Sequence, residues 1–169
     1  MRGMWVKIGK TIRGENMKSK SLAITIVFAA LYNCLGFIFQ SVAFGPIQTR
    51  IADALYPLIA VYGLPCLLGT FLGHFIFNFY GYTVGLALGI GDLLSPFLFL
   101  IPKFAIYKWK LKAVPLHVAF VALWVAWLLY IMFGIPYWMS AATVGAGETI
   151  AEIVLGIPLA IAIKRRLQK

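Results

Sequence analysis

Apolar residues along this chain are gathered into six runs, which glycine, proline and basic residues separate. The runs cover residues 21–41, 51–62, 64–80, 83–102, 114–133 and 142–163. A helix rises about 1.5 Å per residue and the apolar part of a bilayer is about 30 Å thick, so a crossing helix needs about 20 residues. All runs except the second approach or reach that length. The pattern therefore predicts an all-α chain whose helices cross a membrane.

The second run, 51–62, is the doubtful one, because about 12 residues cover only about 18 Å of helix. It is either a re-entrant segment or a span that begins near Gln48 and turns its polar face into the protein. Lys and Arg cluster in 2–20, 103–112 and 164–169. The positive-inside rule places all three clusters on the cytoplasmic side. That arrangement is possible only if six helices cross. We therefore predict six transmembrane helices with both the N-terminus and the C-terminus in the cytoplasm.

The composition agrees with a chain that lies almost wholly in a lipid bilayer. It is 62% hydrophobic and 12% charged, with a mean hydropathy of +0.92, whereas a soluble domain is about 45–50% apolar and about 25% charged. The net charge of +10 does not indicate nucleic acid, because the basic residues flank apolar runs and are not interleaved with stacking aromatic residues. The prediction is an integral membrane protein of the plasma membrane with one transmembrane domain, residues 21–169.

Residues 1–20 are predicted to form a basic cytoplasmic segment. Trp5, Ile8 and Ile12 recur at helical spacing among cations, a pattern typical of a short helix that lies on the membrane surface. A start of the protein at Met17 is the alternative, since a short basic stretch and then the first apolar run follow it.

Four of the five acidic residues lie within or at the edge of apolar runs: Asp53, Asp92, Glu148 and Glu152. A charge at the bilayer centre costs about 2.5–3.5 kcal/mol even on the lenient insertion scale. We therefore expect these carboxyl groups to face the interior of the protein. Glu148 and Glu152 are four residues apart and share a helix face; the alternative for Glu148 is a position in water at the outer end of its helix.

Other polar residues extend this set. Arg50 is predicted to lie at the mouth of a cavity, and His74 and Asn78 stand four apart on one face of the third run. For His74, the alternative is a packing role. For Asp92, the alternative is a structural role. His117 is expected at the membrane interface. The physical interpretation is a small, net acidic cavity, which favours a solute with a positive charge or several N–H donors.

Catalytic and metal-binding signals are lacking in the sequence. Nothing resembles a phosphate-binding loop, a Ser-His-Asp set or a His-Glu zinc helix, and no second His or Cys stands at metal spacing from His74. The sequence therefore predicts no enzyme activity, no metal site and no cofactor bound by this chain.

The stretch Gly45–Leu55, GPIQTRIADAL, resembles the G-x-x-Q-x-R-I-[S/A]-[D/E]-A-L signature of the queuosine-precursor transporter (QueT) family. Further matches follow in the same order over residues 21–166: Gly69-x-x-x-Gly73 with Asn78, Gly91-Asp92, Gly147-Glu148, and Gly156-Ile157-Pro158 before a basic tail. Members of this family are S components, the substrate-binding membrane subunits of energy-coupling-factor (ECF) transporters.

The resemblance implies a six-helix S component that binds a small-molecule substrate outside the cell and docks on a coupling membrane protein and two ATPase subunits, which use the ATP. The expected solute is a 7-deazaguanine, either the aminomethyl precursor or queuine. The resemblance places Glu148 and Asp92 on its donors, Gln48 and Asn78 on the remaining base edges, and an Arg50–Asp53 clamp beside them. An S component for another vitamin or nucleobase, or a small proton-coupled carrier or channel, is the alternative. The first run carries no strict Ala-x-x-x-Ala docking face.

Overall fold

The computed structural model describes residues 2–43 and 49–168, with side chains from Lys18 onward. Throughout these residues the chain is helical and contains no strand. Four helical stretches are long and apolar enough to cross a membrane: Lys18–Ile38, Leu64–Thr83, Gly89–Phe133 and Tyr137–Leu167. Ile51–Tyr62 is a shorter apolar helix. The prediction of an all-α, multi-pass membrane protein is confirmed.

Nine α-helices and three tighter or wider helical segments follow one another along the described residues. The α-helices are α1 Arg2–Ile38, α2 Gln40–Ala43, α3 Ile59–Tyr62, α4 Leu64–Thr83, α5 Gly89–Leu98, α6 Leu100–Trp109, α7 Val114–Phe133, α8 Tyr137–Glu148 and α9 Ile157–Leu167. Ile51–Leu58 and Lys110–Ala113 are 3-10 helices, and Thr149–Gly156 is a π-helix. The basic N-terminal segment is continuous with the first apolar run in α1, and its location on the membrane surface stays a prediction.

The 45-residue stretch Gly89–Phe133 consists of two antiparallel arms. The chain reverses at Lys110, whose φ of 60° is the one positive value at a non-glycine residue among those described. Phe99 of the first arm packs against Phe120 of the second, with ring centroids 6.0 Å apart. A Cβ at Gly91 would overlap the side chain of Leu128. The first arm consists of α5 and α6 and the second of α7. Each arm approaches the length of a membrane crossing.

Helices α1 and α4 pack closely through the glycines of the Gly69-x-x-x-Gly73 motif. A Cβ at Gly69 would lie 2.5 Å from the carbonyl oxygen of Thr25, and one at Gly73 would lie 2.6 Å from the Cβ of Tyr32. Small residues at this spacing let two helices approach within a membrane. The approach carries the Tyr32 ring of α1 to 5.5 Å from the His74 ring of α4.

The basic residues collect at one end of the bundle, here called the basic end. A groove of about 820 Å³ is lined there by Lys108, Lys112 and Lys164 together with Val61. Lys20 of α1 lines a neighbouring groove beside Tyr62 and Ile163. The start of the first span, the turn at Lys110 and the C-terminal helix therefore share one side.

The first prediction tests the α1–α4 contact. Gly69→Ala should lower the stability of the purified protein by about 1–3 kcal/mol, because the added methyl group meets backbone rather than a movable side chain. The temperature of thermal unfolding in detergent measures the effect. Gly145→Ala is the control, since its Cβ would lie 3.4 Å from the Cβ of Ala122. Equal unfolding temperatures for the two variants would contradict the assignment of Gly69 to the interface.

Candidate functional site

Polar side chains converge in the interior of the bundle and form what we call the polar core. It includes all seven described residues of the predicted site, none more than 3% exposed: Arg50, Asp53, His74, Asn78, Asp92, Glu148 and Glu152. Gln48, the eighth predicted residue, lies outside the described residues. The four carboxyl groups therefore face the protein interior, as expected. The alternative position of Glu148 in water is wrong.

The 3-10 helix Ile51–Leu58 aligns two of these residues, Arg50 and Asp53, with Tyr56. Arg50 occupies its N-cap position, and every residue of this helix except Ile51 is buried. A 3-10 helix has three residues per turn, so side chains at i and i+3 eclipse one another. Arg50, Asp53 and Tyr56 consequently lie in one row. Gly156 lets the neighbouring helix approach this segment, because a Cβ there would lie 2.7 Å from the carbonyl oxygen of Ala54.

Arg50 connects three segments at the end of the polar core away from the basic end. Its Nη2 donates to Asp92 Oδ1 at 2.8 Å, and its Nη1 lies 2.7 Å from His74 Nε2. Asp92 is held further by the Asn78 amide, whose Nδ2 lies 3.2 Å from Oδ1, and by the Leu88 N–H, 3.4 Å from Oδ2. The predicted Arg50–Asp53 clamp is wrong: the guanidinium pairs with Asp92. Arg50 is buried in the polar core, and the predicted position of a cavity mouth beside it stays a prediction, because residues 44–48 lie outside the described residues.

A directional chain of hydrogen bonds links His74 to Asp53. The guanidinium of Arg50 can only donate, so His74 Nε2 is the acceptor and Nδ1 carries the proton. Nδ1 then donates to the Tyr56 hydroxyl, 2.9 Å away. Tyr56 donates to Tyr32 at 3.1 Å, and Tyr32 donates to Asp53 Oδ1 at 2.6 Å. His74 is therefore a neutral, fully engaged member of the polar core.

Two basic residues of the polar core were missed from the sequence, Lys103 and His117. Both side chains are 0% exposed, so neither faces water or the membrane interface as the sequence predicts; the side of the membrane to which they lie closer stays a prediction. Lys103 Nζ lies 4.1 Å from the centroid of the Tyr56 ring, and His117 Nδ1 lies 2.7 Å from Glu152 Oε1. Lys103 follows Phe99 by four residues and shares its helix face, but the burial of Phe99 is itself known only from the structure.

The part of the polar core around Asp53 contains buried polar atoms without a hydrogen-bond partner among the described residues. They are Asp53 Oδ2, Lys103 Nζ, His117 Nε2, Glu148 Oε2 and Glu152 Oε2. We call this set the acidic cluster. Glu152 belongs to the π-helix Thr149–Gly156, a rare conformation that is frequent at functional sites. Buried polar atoms normally have partners, so this concentration marks a candidate binding site.

The charges of the polar core do not balance. Four buried carboxyl groups face two buried basic side chains, Arg50 and Lys103, which leaves a formal excess of two negative charges when all are ionised. Uncompensated buried charge is strongly unfavourable. The arrangement therefore favours a guest that brings positive charge or N–H donors. Among the described residues, no group of three or more His, Cys, Asp or Glu side chains is placed to hold a metal ion.

Three surface grooves formed by described residues lie away from this cluster. One, at the basic end, has a volume of about 820 Å³, and the two others have volumes of about 390 and 430 Å³. Residues of the polar core line none of these three. The candidate site is thus identified by its buried unpartnered atoms.

The fold and the polar core define a multi-pass membrane protein with a polar site enclosed by apolar helices, as expected of a solute transporter. The model of the QueT transporter family matches residues 22–165. The chain therefore belongs to the QueT transporter family, which confirms the resemblance found in the sequence. No curated protein and no solved structure matches the chain.

The second prediction tests the buried ion pair. Arg50→Gln should destabilise the protein by about 3–5 kcal/mol, because it leaves Asp92 buried without its cation. Thermal unfolding in detergent measures the loss, and Arg165→Gln, an exposed arginine at the basic end, serves as the matched control.

Combining Arg50→Gln with Asp92→Asn should restore part of the stability, since neither charge then remains unpaired. A double variant whose loss equals the sum of the two single losses would show that the pair is not coupled.

Proposed function

We propose that this chain is the S component of an ECF-type importer and that it binds a 7-deazaguanine precursor of queuosine from outside the cell. Membership of the QueT transporter family supports transport. The observation that carries the choice of solute is the acidic cluster, in which Asp53, Glu148 and Glu152 each have one unpartnered carboxylate oxygen. The chain shows no nucleotide-binding loop in its sequence, so a coupling membrane protein and two partner ATPases supply the energy in this proposal.

We propose six crossings with both termini in the cytoplasm. The reversal at Lys110 supports two crossings within Gly89–Phe133. The short Ile51–Tyr62 segment is covered by protein, which is where irregular or short helices are tolerated at membrane depth. The gathering of Lys20, Lys108, Lys112 and Lys164 at one end supports a cytoplasmic position of that end.

The chemistry of the solute complements the acidic cluster. A guanine-type base presents N1–H and an exocyclic amine side by side, and carboxylate oxygens accept such donors, since each oxygen has two lone pairs and one that already accepts a hydrogen bond can accept another. An aminomethyl substituent adds a cation, which offsets part of the excess negative charge. We assign the base edge to Glu148 and the cation to Asp53 or Glu152. Asp92 is already engaged by three donors, so its role is to fix Arg50.

A proton-coupled carrier is the second candidate function. The hydrogen-bond chain from His74 through Tyr56 and Tyr32 to Asp53 favours it, because such chains can conduct protons. Liposomes that contain only this purified chain distinguish the two functions. Solute-driven acidification without partner subunits supports the carrier, whereas stoichiometric binding without transport supports the S component.

The third prediction concerns Glu148. Isothermal titration of the purified protein with the aminomethyl-deazaguanine should show one site of micromolar or tighter affinity. Glu148→Gln should weaken binding by about 1.5–3 kcal/mol, or about 10- to 150-fold, if the carboxylate accepts charged hydrogen bonds. Glu15→Gln, the same change in the basic N-terminal segment, is the control. Unchanged affinity of Glu148→Gln removes this residue from the site, and absence of binding by the unaltered protein removes the solute.

A further inference from the structure

Lys103 is the least explained member of the polar core. Its side chain is 0% exposed and its Nζ has no hydrogen-bond partner among the described residues. Burying an ammonium group is costly unless it is paired and hydrogen-bonded. A lysine that serves only to neutralise an acid is expected within 4.0 Å of a carboxylate oxygen. Among the described residues, Asp92 is instead paired with Arg50, and Glu152 is hydrogen-bonded by His117.

The position of Lys103 is set by an aromatic ring. Nζ lies 4.1 Å from the centroid of Tyr56, and the Tyr56 hydroxyl is itself anchored by Tyr32 and His74. A cation over the face of a ring is attracted by the ring quadrupole. This contact leaves the three N–H donors of the ammonium group free for another acceptor. The contact with the ring therefore positions Lys103 and leaves its N–H groups without acceptors.

The surroundings of Lys103 are rich in acceptors that are also unused. The Tyr56 ring beside Lys103 contacts His117, which is bonded to Glu152, with ring centroids 4.7 Å apart, and the Tyr56 hydroxyl is linked through Tyr32 to Asp53. Glu148 precedes Glu152 by four residues and is buried like it. Each of these three carboxyl groups has one oxygen without a partner. His117 Nδ1 orients Glu152 at 2.7 Å. One cluster thus presents a free donor group beside several free acceptors.

This combination matches one edge of a particular class of base. A 6-oxo-2-aminopurine or its 7-deaza analogue carries a carbonyl oxygen, then N1–H, then an amine, which is one acceptor followed by two donors. A 6-amino base presents a donor in place of the carbonyl oxygen, so an N–H meets the ammonium group, and its N1 carries no hydrogen for a carboxylate to accept. Buried polar groups left unpaired in this way give strong discrimination between otherwise similar solutes.

We propose that Lys103 is the specificity-determining residue that donates to the exocyclic carbonyl oxygen of a 6-oxo-2-amino base, while carboxylates of the acidic cluster accept its N–H groups. The proposal rests on the proposed function and adds the chemical feature by which the solute is selected. Arg50 is excluded from this role because its guanidinium is engaged by Asp92 and His74.

The experiment compares two bases that differ at the C6 substituent and at the adjacent N1, which carries a hydrogen only in the 6-oxo base. 7-Deazaguanine and 2,6-diamino-7-deazapurine are titrated into the full chain in detergent. The unaltered protein should prefer 7-deazaguanine by about 100-fold or more, as a site built to hydrogen-bond one group does. Lys103→Met should weaken 7-deazaguanine binding about 10- to 100-fold and lower the preference by a similar factor, while the part of the preference that comes from N1–H remains. Lys108→Met, an exposed lysine of the same helix, should leave both affinities unchanged.

The ratio of the two affinities separates recognition from a purely structural role. Loss of folding stability lowers the affinity for both bases by the same factor and leaves their ratio unchanged. Lys103→Gln, which keeps a neutral donor, provides a second variant if Lys103→Met does not fold, and it should retain part of the preference. An unaltered protein that does not distinguish the two bases, or a Lys103 variant that keeps the full preference, overturns the proposal.

Failure of this inference and failure of the proposed function give different results. If the protein binds 7-deazaguanine but the Lys103 variants keep the full preference, only the assignment of Lys103 is wrong. If the protein binds neither 7-deazaguanine nor the aminomethyl derivative, the proposed solute and the assignment of Lys103 are both wrong.

Discussion

The pairing of Arg50 with Asp92 is the interaction on which the polar core depends. Through its two terminal nitrogens, the guanidinium connects the N-cap of the 3-10 helix to α4 at His74 and to α5 at Asp92. In hydrocarbon, polar groups that lack partners cost several kcal/mol each. Removing this cation would therefore leave Asp92 of α5 without its counter-charge and take a donor from His74 of α4. The pair also sets the His74 tautomer, from which the hydrogen-bond chain to Asp53 follows.

The two halves of the polar core differ in how many of their polar atoms have hydrogen-bond partners. Around Arg50, the principal donors have acceptors, and the groups hold one another in place. Around Asp53, carboxylate oxygens and the Lys103 ammonium group lack partners. A satisfied network rigidifies the protein, whereas an unsatisfied one is stable only if something binds it or relieves its charge. This contrast is the physical reason to place a nitrogen-rich solute in the second half.

Much of the fold and part of the site were predictable from the sequence. Run lengths and the clustering of Lys and Arg indicate apolar helices with a common basic end. The cost of charge in hydrocarbon places Asp53, Asp92, Glu148 and Glu152 in the interior, and the spacing of His74 and Asn78 places both on one face. Pairing between residues distant in sequence was not predictable, since Arg50 faces an acid 42 positions away rather than the one three positions away.

By itself, the sequence determined that this protein is a helical membrane protein of the QueT transporter family with acidic groups facing inward, because hydropathy, charge and local motifs are properties of neighbouring residues. Only the tertiary structure decided that Lys103 and His117 belong to the polar core, since each borders a basic, polar stretch in the sequence. It also decided which carboxylate each cation meets. Both outcomes depend on how helices rotate and cross, which close contacts at glycines such as Gly69 and Gly156 set.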